Sequence, residues 1–318
     1  MQSGIIIINK EAGFTSFDVV AKLRGILHIK KIGHTGTLDP QATGVLPICI
    51  GKATKICSLL TDTDKTYKAT MLLGQSTDTY DVFGNVTEKR EVITTPEEVQ
   101  RVIESFVGEI DQIPPMYSAI KINGKKLYEL ARQGKVVERK SRRVTIYNEE
   151  TLSIELPRVK FKVDCSKGTY IRSLCNDIGN KLGTLGCMEE LVRNRVGDFC
   201  LEDSYKICDI EKMMDDGTIG DAIIPIDRVF EKHPKRCVVD SATKMCINGG
   251  KLKGADLVET NINEIESATK QSVEANKPQN TLNENELYCL YLSDGTFVGV
   301  YRKEGDTYSP EKMFYESV

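Results

Sequence analysis

Nothing in the chain is apolar for long enough to cross a bilayer as a helix. The N-terminal stretch MQSGIIIINKEAG has four consecutive isoleucines, against the ~20 apolar residues that a spanning helix needs. No basic lead-in and no small-residue cleavage site accompany it, so a buried strand is expected here rather than a secretion signal. Histidine is scarce, with only His28, His34 and His233. Ten cysteines are present (Cys49, Cys57, Cys165, Cys175, Cys187, Cys200, Cys208, Cys237, Cys246 and Cys289), but no two form a C-x-x-C pair. That spacing argues against a zinc site and points to reduced thiols in a cytoplasmic protein, with a disulfide framework as the alternative. No metal and no internal repeat is expected. The chain also lacks a regular strand–helix–strand rhythm, which predicts an α+β fold with a mixed or antiparallel sheet flanked by helices.

What is present is an ordinary globular balance: 318 residues, 40% hydrophobic and 28% charged. That is enough for one large domain and a small one at ~150 residues per domain. The net charge of −3 does not by itself suggest a polyanionic partner. The charge is unevenly spread, however. Between Ala119 and Thr145 stand nine basic residues (Lys121, Lys125, Lys126, Arg132, Lys135, Arg139, Lys140, Arg142 and Arg143) and two acidic ones, Glu129 and Glu138, a local charge of +7. A solvated surface arm is the bland reading. Such a concentration in an otherwise acidic protein favours a phosphate-rich partner.

Along the chain, Ile5–Ile8 reads as a buried strand. Ser16 is placed as the cap of a helix carrying Val19, Val20, Leu23, Ile26 and Leu27 on its apolar side. Lys31–Gly44, rich in Gly, Thr and Pro, is expected to be loop. Val45–Ile50 and Lys65–Leu73 read as strands. Thr95-Pro96-Glu97-Glu98 is a capping box opening a helix to about Val107. Val159, Phe161, Val163 and Cys165 alternate as in a strand, and a helix follows from about Tyr170 to near Gly183. Composition shifts after about Phe230. Gly254–Glu286 is polar and poor in aromatics, and is expected to be a mobile insertion. Leu287–Leu292 and Phe297–Tyr301, joined through Asp294-Gly295, form a hairpin signal in a small β-rich module.

The most informative window is Gly33-His34-Thr35-Gly36-Thr37-Leu38-Asp39-Pro40-Gln41-Ala42-Thr43-Gly44-Val45-Leu46. It offers glycines, hydroxyls and one carboxylate, Asp39, whose backbone the following proline restricts to extended conformations. From residue types alone, Asp39 could equally be a turn residue bonding nearby amides. The complete string resembles the G-H-x-G-x-L-D-P-x-A-x-G-V-L signature of the TruB family of pseudouridine synthases. Other stretches are similar to that family too. Asn9-Lys10-Glu11-Ala12-Gly13-Phe14-Thr15-Ser16 is similar to its [DN]-K-P-x-G-x-T-S motif, with Glu11 where the family usually has proline. Lys65-Thr66-Tyr67-Lys68-Ala69 resembles its K-x-Y motif, and Gln112–Lys140 resembles its RNA-binding insertion. Ser166-Lys167-Gly168-Thr169-Tyr170-Ile171-Arg172-Ser173-Leu174 resembles its G-T-Y-I-R-[ST]-L motif. Leu191-Val192-Arg193 matches a later leucine–arginine motif less closely. The resemblance runs from about Gly4 to Phe199.

The resemblance implies a pseudouridine synthase fold, with a largely antiparallel central sheet over residues 1–230 and an RNA-binding insertion at about 112–145. It implies a PUA-like module over 231–318, interrupted by the polar stretch at about 254–286. The implied reaction breaks the N1–C1′ bond of a uridine, turns the base and rejoins it through C5, without a cofactor. The implied substrate is tRNA, at uridine 55 of the TΨC stem-loop, with no obligate protein partner, no membrane and a monomer as the expected state. A carboxylate suits an electron-poor sugar carbon, and the resemblance makes Asp39 the nucleophile. It makes Arg172 the ionic partner of Asp39, Tyr67 the platform stacking on the flipped base, and Tyr170 and Leu191 pocket walls. His34 resembles the residue that enters the RNA loop as the nucleotide leaves it. Lys10 either touches a phosphate or braces the Asn9–Ser16 turn. Lys121, Lys125, Lys126, Arg132, Arg142 and Arg143 are the expected RNA contacts. Two other readings are open: a guide-RNA-dependent synthase needing accessory proteins, and a tRNA-binding folding chaperone.

Overall fold

The computed structural model describes residues 2–122, 124–259 and 286–316. In chain order its elements begin with β1 (Gly4–Lys10), α1 (Ser16–Leu27), β2 (Ile32–His34), β3 (Thr43–Ile50), α2 (Cys57–Thr61) and β4 (Lys65–Leu73). Next come β5 (Gln75–Thr77), β6 (Val86–Lys89), α3 (Pro96–Glu104), β7 (Gly108–Gln112), β8 (Lys121–Ile122), β9 (Lys125–Lys126) and α4 (Leu127–Arg132). They are followed by β10 (Arg142–Glu155), β11 (Arg158–Cys165), α5 (Ile171–Lys181), β12 (Gly186–Val196), β13 (Phe199–Cys200) and α6 (Ile207–Asp215). The last elements are β14 (Lys235–Val238), α7 (Thr243–Ile247), β15 (Leu252–Lys253), β16 (Leu257–Glu259), β17 (Leu287–Tyr291), β18 (Phe297–Glu304) and β19 (Thr307–Met313).

The chain divides into two compact units. The larger comprises Ile6–Cys49 and Ile56–Ala222 and holds most of a nine-stranded sheet of order β1-β3-β12-β4-β11-β10-β7, with β2 on β3 and β13 on β12. β12 runs parallel to β3, whereas the β12–β4, β4–β11, β11–β10 and β10–β7 pairs are antiparallel. The sheet is therefore mixed and largely antiparallel, as expected. Strand alternation explains its core. Val159, Phe161, Val163 and Cys165 of β11 all turn inward and pack with Ala69, Met71 and Leu73 of β4 and with Ile171, Leu174, Cys175 and Ile178 of α5. Burying a side chain of that size is worth roughly 1.5–3 kcal/mol. Helix α5 lies close on β12 because two glycines face each other. A Cβ on Gly179 would stand 2.2 Å from the Gly186 nitrogen.

Local signals were read correctly in type and less well in extent. Thr15, not Ser16, is the N-cap of α1: its hydroxyl accepts from the Asp18 amide, and Asp18 accepts from the Thr15 amide. Ser16 is the first helical residue, and its hydroxyl accepts from the Leu38 amide at 2.9 Å instead. On α1, Val19, Val20, Leu23 and Leu27 are buried and Ile26 is half-buried. The expected loop Lys31–Gly44 contains a short strand: Ile32–His34 pairs with β3, which itself starts at Thr43. A three-residue strand carries too little periodicity to be seen among glycines. Helix α3 has the expected Thr95/Glu98 capping box but ends at Glu104 rather than Val107.

The smaller unit comprises Met1–Ile5, Ile50–Lys55 and Ile223–Val318. It holds a six-stranded sheet of order β15-β19-β18-β17-β14-β16, the β-rich character expected of a PUA-like module. The compositional shift at Phe230 falls inside this unit, where the Phe230 ring packs against Phe297 and Phe314. The Asp294-Gly295 turn joins β17 to β18, with Gly295 at φ +83°. Of the polar stretch expected to be mobile, Gly254–Glu259 carries a helical turn and β16, and residues 260–285 lie outside the described residues.

Candidate active site

Asp39 lies on the loop between β2 and β3, and Arg172 lies in the first turn of α5. The two are 133 residues apart in sequence. Folding joins them in a two-pronged pair: the Arg172 Nε is 2.9 Å from Asp39 Oδ2, and the Nη2 donates to Oδ1 at 3.0 Å. The side chain of Arg172 is 6% exposed and that of Asp39 is 37% exposed. The guanidinium is thus the fixed member, and the carboxylate presents an open edge to an incoming group. Charge-assisted, bidentate pairing of this kind orients as well as stabilises.

The remaining donors of Arg172 are also engaged. Nη1 donates to the Thr79 carbonyl at 3.0 Å and Nη2 to the Tyr117 carbonyl at 2.8 Å, while Asp81 Oδ2 lies 3.7 Å from Nη1. Asp81 was given no role by sequence reading. Burial pushes its carboxyl above the usual carboxylate range, and Arg172 only partly offsets this. The turn bearing Asp81 is held tightly. Its neighbour Tyr80 stands at φ +62°, in the left-handed region that bulky residues avoid. It is kept there from outside: the Met188 amide donates to the Tyr80 carbonyl and the Val82 amide to the Met188 carbonyl, both at 2.9 Å.

Tyr67 is a β4 residue, half-buried against the core cluster that contains Leu38, Ala42 and Leu191. Burial raises its phenol above the usual tyrosine value, with Arg193 opposing the shift. Leu191, 8% exposed, stands in that same cluster, two residues from Arg193 on β12. Tyr170 is the residue before α5. Gln112, itself 1% exposed, clamps its backbone from both sides, accepting from the Tyr170 amide at 2.8 Å and donating to its carbonyl at 3.0 Å. Gln112 is a second residue whose role sequence reading missed, since nothing local links it to Tyr170. Burial also raises the Tyr170 phenol, opposed by the charges of Arg142 and Arg172.

His34 ends β2, half-buried, with a buried Nδ1 that has no partner among the described residues. Burial and the nearby Arg193 lower its pKa, so the ring is held in the neutral form. Lys10 resolves one open choice. Its ammonium is fully buried and donates to the carbonyls of Glu11 (2.9 Å), Phe14 (2.7 Å) and Pro40 (3.0 Å). All three N–H bonds are used, so the contacts match bracing of the turn and of the loop behind Asp39 rather than a grip on phosphate. Burial lowers the Lys10 pKa from 10.5 to about 8. Between those values the unfolded chain holds a proton that the folded chain has released. Stability due to this lysine must therefore rise with pH across the window from about 8 to 10.5. Thermal unfolding of wild type and Lys10→Met should show the wild-type advantage growing over that range. A pH-independent difference would contradict the buried cation.

The basic arm is folded, and only some of its charges are free of acidic neighbours. Lys121, Lys125, Arg132 and Arg142 are exposed. Lys126 is half-buried and lies 5.3 Å from the Tyr128 ring centroid, as does the Arg132 guanidinium. Arg143 is exposed but pairs with Asp111 at 3.2 Å and Glu109 at 3.5 Å. Among the described residues, no cluster of His, Cys, Asp and Glu is arranged to hold a metal, and no helix is long and apolar enough to cross a membrane.

A carboxylate with an open edge, locked by a buried guanidinium beside a tyrosine, is an arrangement for stabilising or trapping a cationic carbon without metal ligands. Residues 24–171 match the sequence profile of the TruB family pseudouridylate synthase N-terminal domain. Residues 172–231 match that of the tRNA pseudouridylate synthase B C-terminal domain. The chain is 43% identical over 311 residues to the tRNA pseudouridine synthase B of Clostridium kluyveri, covering 98% of this chain and 99% of that one. It is 48% identical over 322 residues to the protein of that name from Lachnoclostridium phytofermentans, again covering 98% and 99%. Among solved structures it resembles an H/ACA RNP bound to a substrate RNA containing 2′-deoxyuridine. That match has a TM-score of 0.69 at 26% identity, over 98% of this chain and 85% of the other. With motif, fold and near full-length relatives in agreement, the chain belongs to the TruB family of pseudouridylate synthases.

Proposed function

We propose that this chain is a stand-alone tRNA pseudouridine synthase acting on uridine 55 in the TΨC loop of tRNA, in the cytoplasm. The observation that carries the reading is the bidentate Asp39–Arg172 pair, with the carboxylate left 37% exposed. Asp39 is the catalytic carboxylate, meeting C1′ or the C2′ proton as the base leaves. Arg172 keeps it aimed. Tyr67 stacks on the extruded uracil, and Tyr170 and Leu191 close the pocket around it. Extruding a base costs a few kcal/mol of lost stacking, which His34 offsets by filling the gap. Lys10 braces the catalytic loop from behind. Ile6–Cys49 and Ile56–Ala222 form the catalytic part, and the smaller unit, built chiefly from Ile223–Val318, forms the PUA-like part.

The stand-alone reading is favoured over a guide-dependent one by the 43–48% identity to relatives named tRNA pseudouridine synthase B over nearly their whole length. The match to the ribonucleoprotein structure is far more distant, at 26%. Tritium release from an unmodified tRNA transcript labelled at C5 of uridine tests the reading. Release without added guide, protein or cofactor is expected. Release only after such an addition would transfer the chain to the dependent class.

The arm, carrying Lys121, Lys125, Lys126, Arg132, Arg142 and Arg143, covers the RNA loop, which proteins read through shape, stacking and phosphates. Arg143 contributes least, because carboxylates already occupy it. The double substitution Lys125→Glu and Lys126→Glu should weaken tRNA binding. It should also reduce the salt dependence of Kd by about one unit of log–log slope per lost phosphate contact. An unchanged Kd across a salt series would remove these lysines from the interface.

A further inference from the structure

Arg193 is among the largest fully buried side chains of the protein, at 1% exposure. Its immediate surroundings hold no counter-charge: among the described residues, no Asp or Glu oxygen lies within 4.0 Å of its nitrogens. What it has instead are carbonyls at both ends of the catalytic loop. Nε donates to Val45 O at 2.8 Å and Nη2 to Gly36 O at 3.2 Å. In the sheet it stands directly opposite Tyr67 on β4 and beside Gly44 on β3. The approach to Gly44 is so close that a Cβ there would lie 2.3 Å from the Arg193 carbonyl oxygen. Cross-strand partners point to the same face, and the positive charge of Arg193 opposes the burial-driven rise of the Tyr67 phenol. Two lysines, Lys10 and Lys65, also feel its positive field. Asp39, the nearest functional carboxylate, is already held by Arg172.

A buried charge without a partner is costly. Here the cost falls beneath the tyrosine that meets the base, where the reaction itself creates an anion. When the C1′–N1 bond breaks, its electron pair stays on N1, and uracil leaves with a negative charge shared by N1, O2 and O4. Meanwhile C1′ bonds to the Asp39 carboxylate, or the C2′ proton is lost to form a glycal. Rejoining spends that pair on the C1′–C5 bond, breaks the C1′–O bond to Asp39 or returns to C2′ the proton that Asp39 had taken, and releases the C5 proton. We infer that Arg193 supplies the standing positive field that stabilises the detached uracil anion, acting through Tyr67 and across the pocket wall, and that it positions Tyr67 and the Asp39 loop for this step. The inference rests on the function proposed above. Preorganised charge aimed at charge that develops only during reaction is the most effective form of electrostatic catalysis.

The test compares two substrates under single-turnover conditions with saturating enzyme: a TΨC stem-loop with uridine at the target, and the same RNA with 5-fluorouridine. Fluorine stabilises the departing anion and lowers the demand for help from the protein. Arg193→Gln should slow conversion of the uridine substrate by roughly 100-fold or more, while Kd for the stem-loop stays within about threefold. On 5-fluorouridine its deficit in base detachment should shrink by about tenfold. Arg193→Lys, which keeps the charge, should stay within about tenfold of wild type. Equal deficits on both substrates, or a rate loss matched by lost affinity, would reduce Arg193 to a structural brace and overturn the inference. If the Gln variant does not fold, the Lys variant carries the same comparison: a deficit that shrinks on 5-fluorouridine supports the role, and an equal one refutes it. A wild type inactive on uridine would instead strike the proposed function itself, so the two failures are told apart.

Discussion

Asp39→Asn should lower the single-turnover rate of pseudouridine formation on the order of 10⁴-fold or more, as removal of a nucleophile does elsewhere, with tRNA affinity within about threefold of wild type. The substitution preserves shape and volume. It removes the charge that would meet C1′, and it turns one prong of the pair with Arg172 from an acceptor into a donor facing a donor. Because the arm and the pocket walls are untouched, binding and catalysis should separate. A variant that binds and does not react is the expected result. A variant retaining a tenth of wild-type rate would remove Asp39 from the chemistry. Full tRNA refolding activity in the inactive variant would additionally reveal a chaperone function independent of catalysis.

Arg172→Met should lose activity to a similar extent and, unlike the Asp39 change, should also destabilise the fold. The cost expected for stripping one partner from a buried ionic network is about 3–5 kcal/mol. Arg172 is 6% exposed and serves two carboxylates and two carbonyls. Its loss leaves the carbonyls of Thr79 and Tyr117 without a donor, and leaves Asp81 as a buried carboxylate with no cation. Asp81 already titrates above its ordinary value because of burial. Removing Arg172 pushes it higher still. A carboxyl with a raised folded-state pKa carries no penalty when protonated and its full penalty once ionised. The deficit should therefore be smaller at about pH 5 than at about pH 8, as read from urea unfolding at each pH. An equal deficit at the two pH values would mean that Asp81 is not the group left exposed to its own charge.

The two variants also mark how far local sequence reaches. The carboxylate of Asp39 is conspicuous because it stands in a dense string of glycine, hydroxyl and proline positions. The string spans only Gly33–Leu46, so its pattern is visible without the rest of the chain. Gly44 stands in the same string for a reason that is not visible there. Its φ of +104° and the carbonyl of Arg193, on a strand almost 150 residues later, exclude any Cβ. Asp81, Gln112 and Arg193 behave similarly. Arg193 falls in the Leu191-Val192-Arg193 match and Gln112 opens the insertion, yet each of the three meets its partner only through the fold: Arg172, Tyr170 and Tyr67 respectively.

Element types were legible for a physical reason. Hydrophobic periodicity and capping chemistry act within a few residues: β11 and α5 carry the first and α3 carries both. Lengths were less legible because the last turn of a helix or the first residue of a strand is settled by whatever packs against it. α3 stopping at Glu104 and Ile32–His34 entering the sheet beside β3 are cases in point. Residue type and spacing in the sequence pointed to the α+β class and the basic arm, and the family resemblance pointed to Asp39 and Arg172. Only the tertiary structure shows that Lys10 donates to three carbonyls, that Arg143 pairs with Asp111 and Glu109, and that Asp81 and Arg193 lie beside Arg172 and Tyr67. Charge and hydrogen bonding depend on distance in space, and only the folded sheet sets those distances.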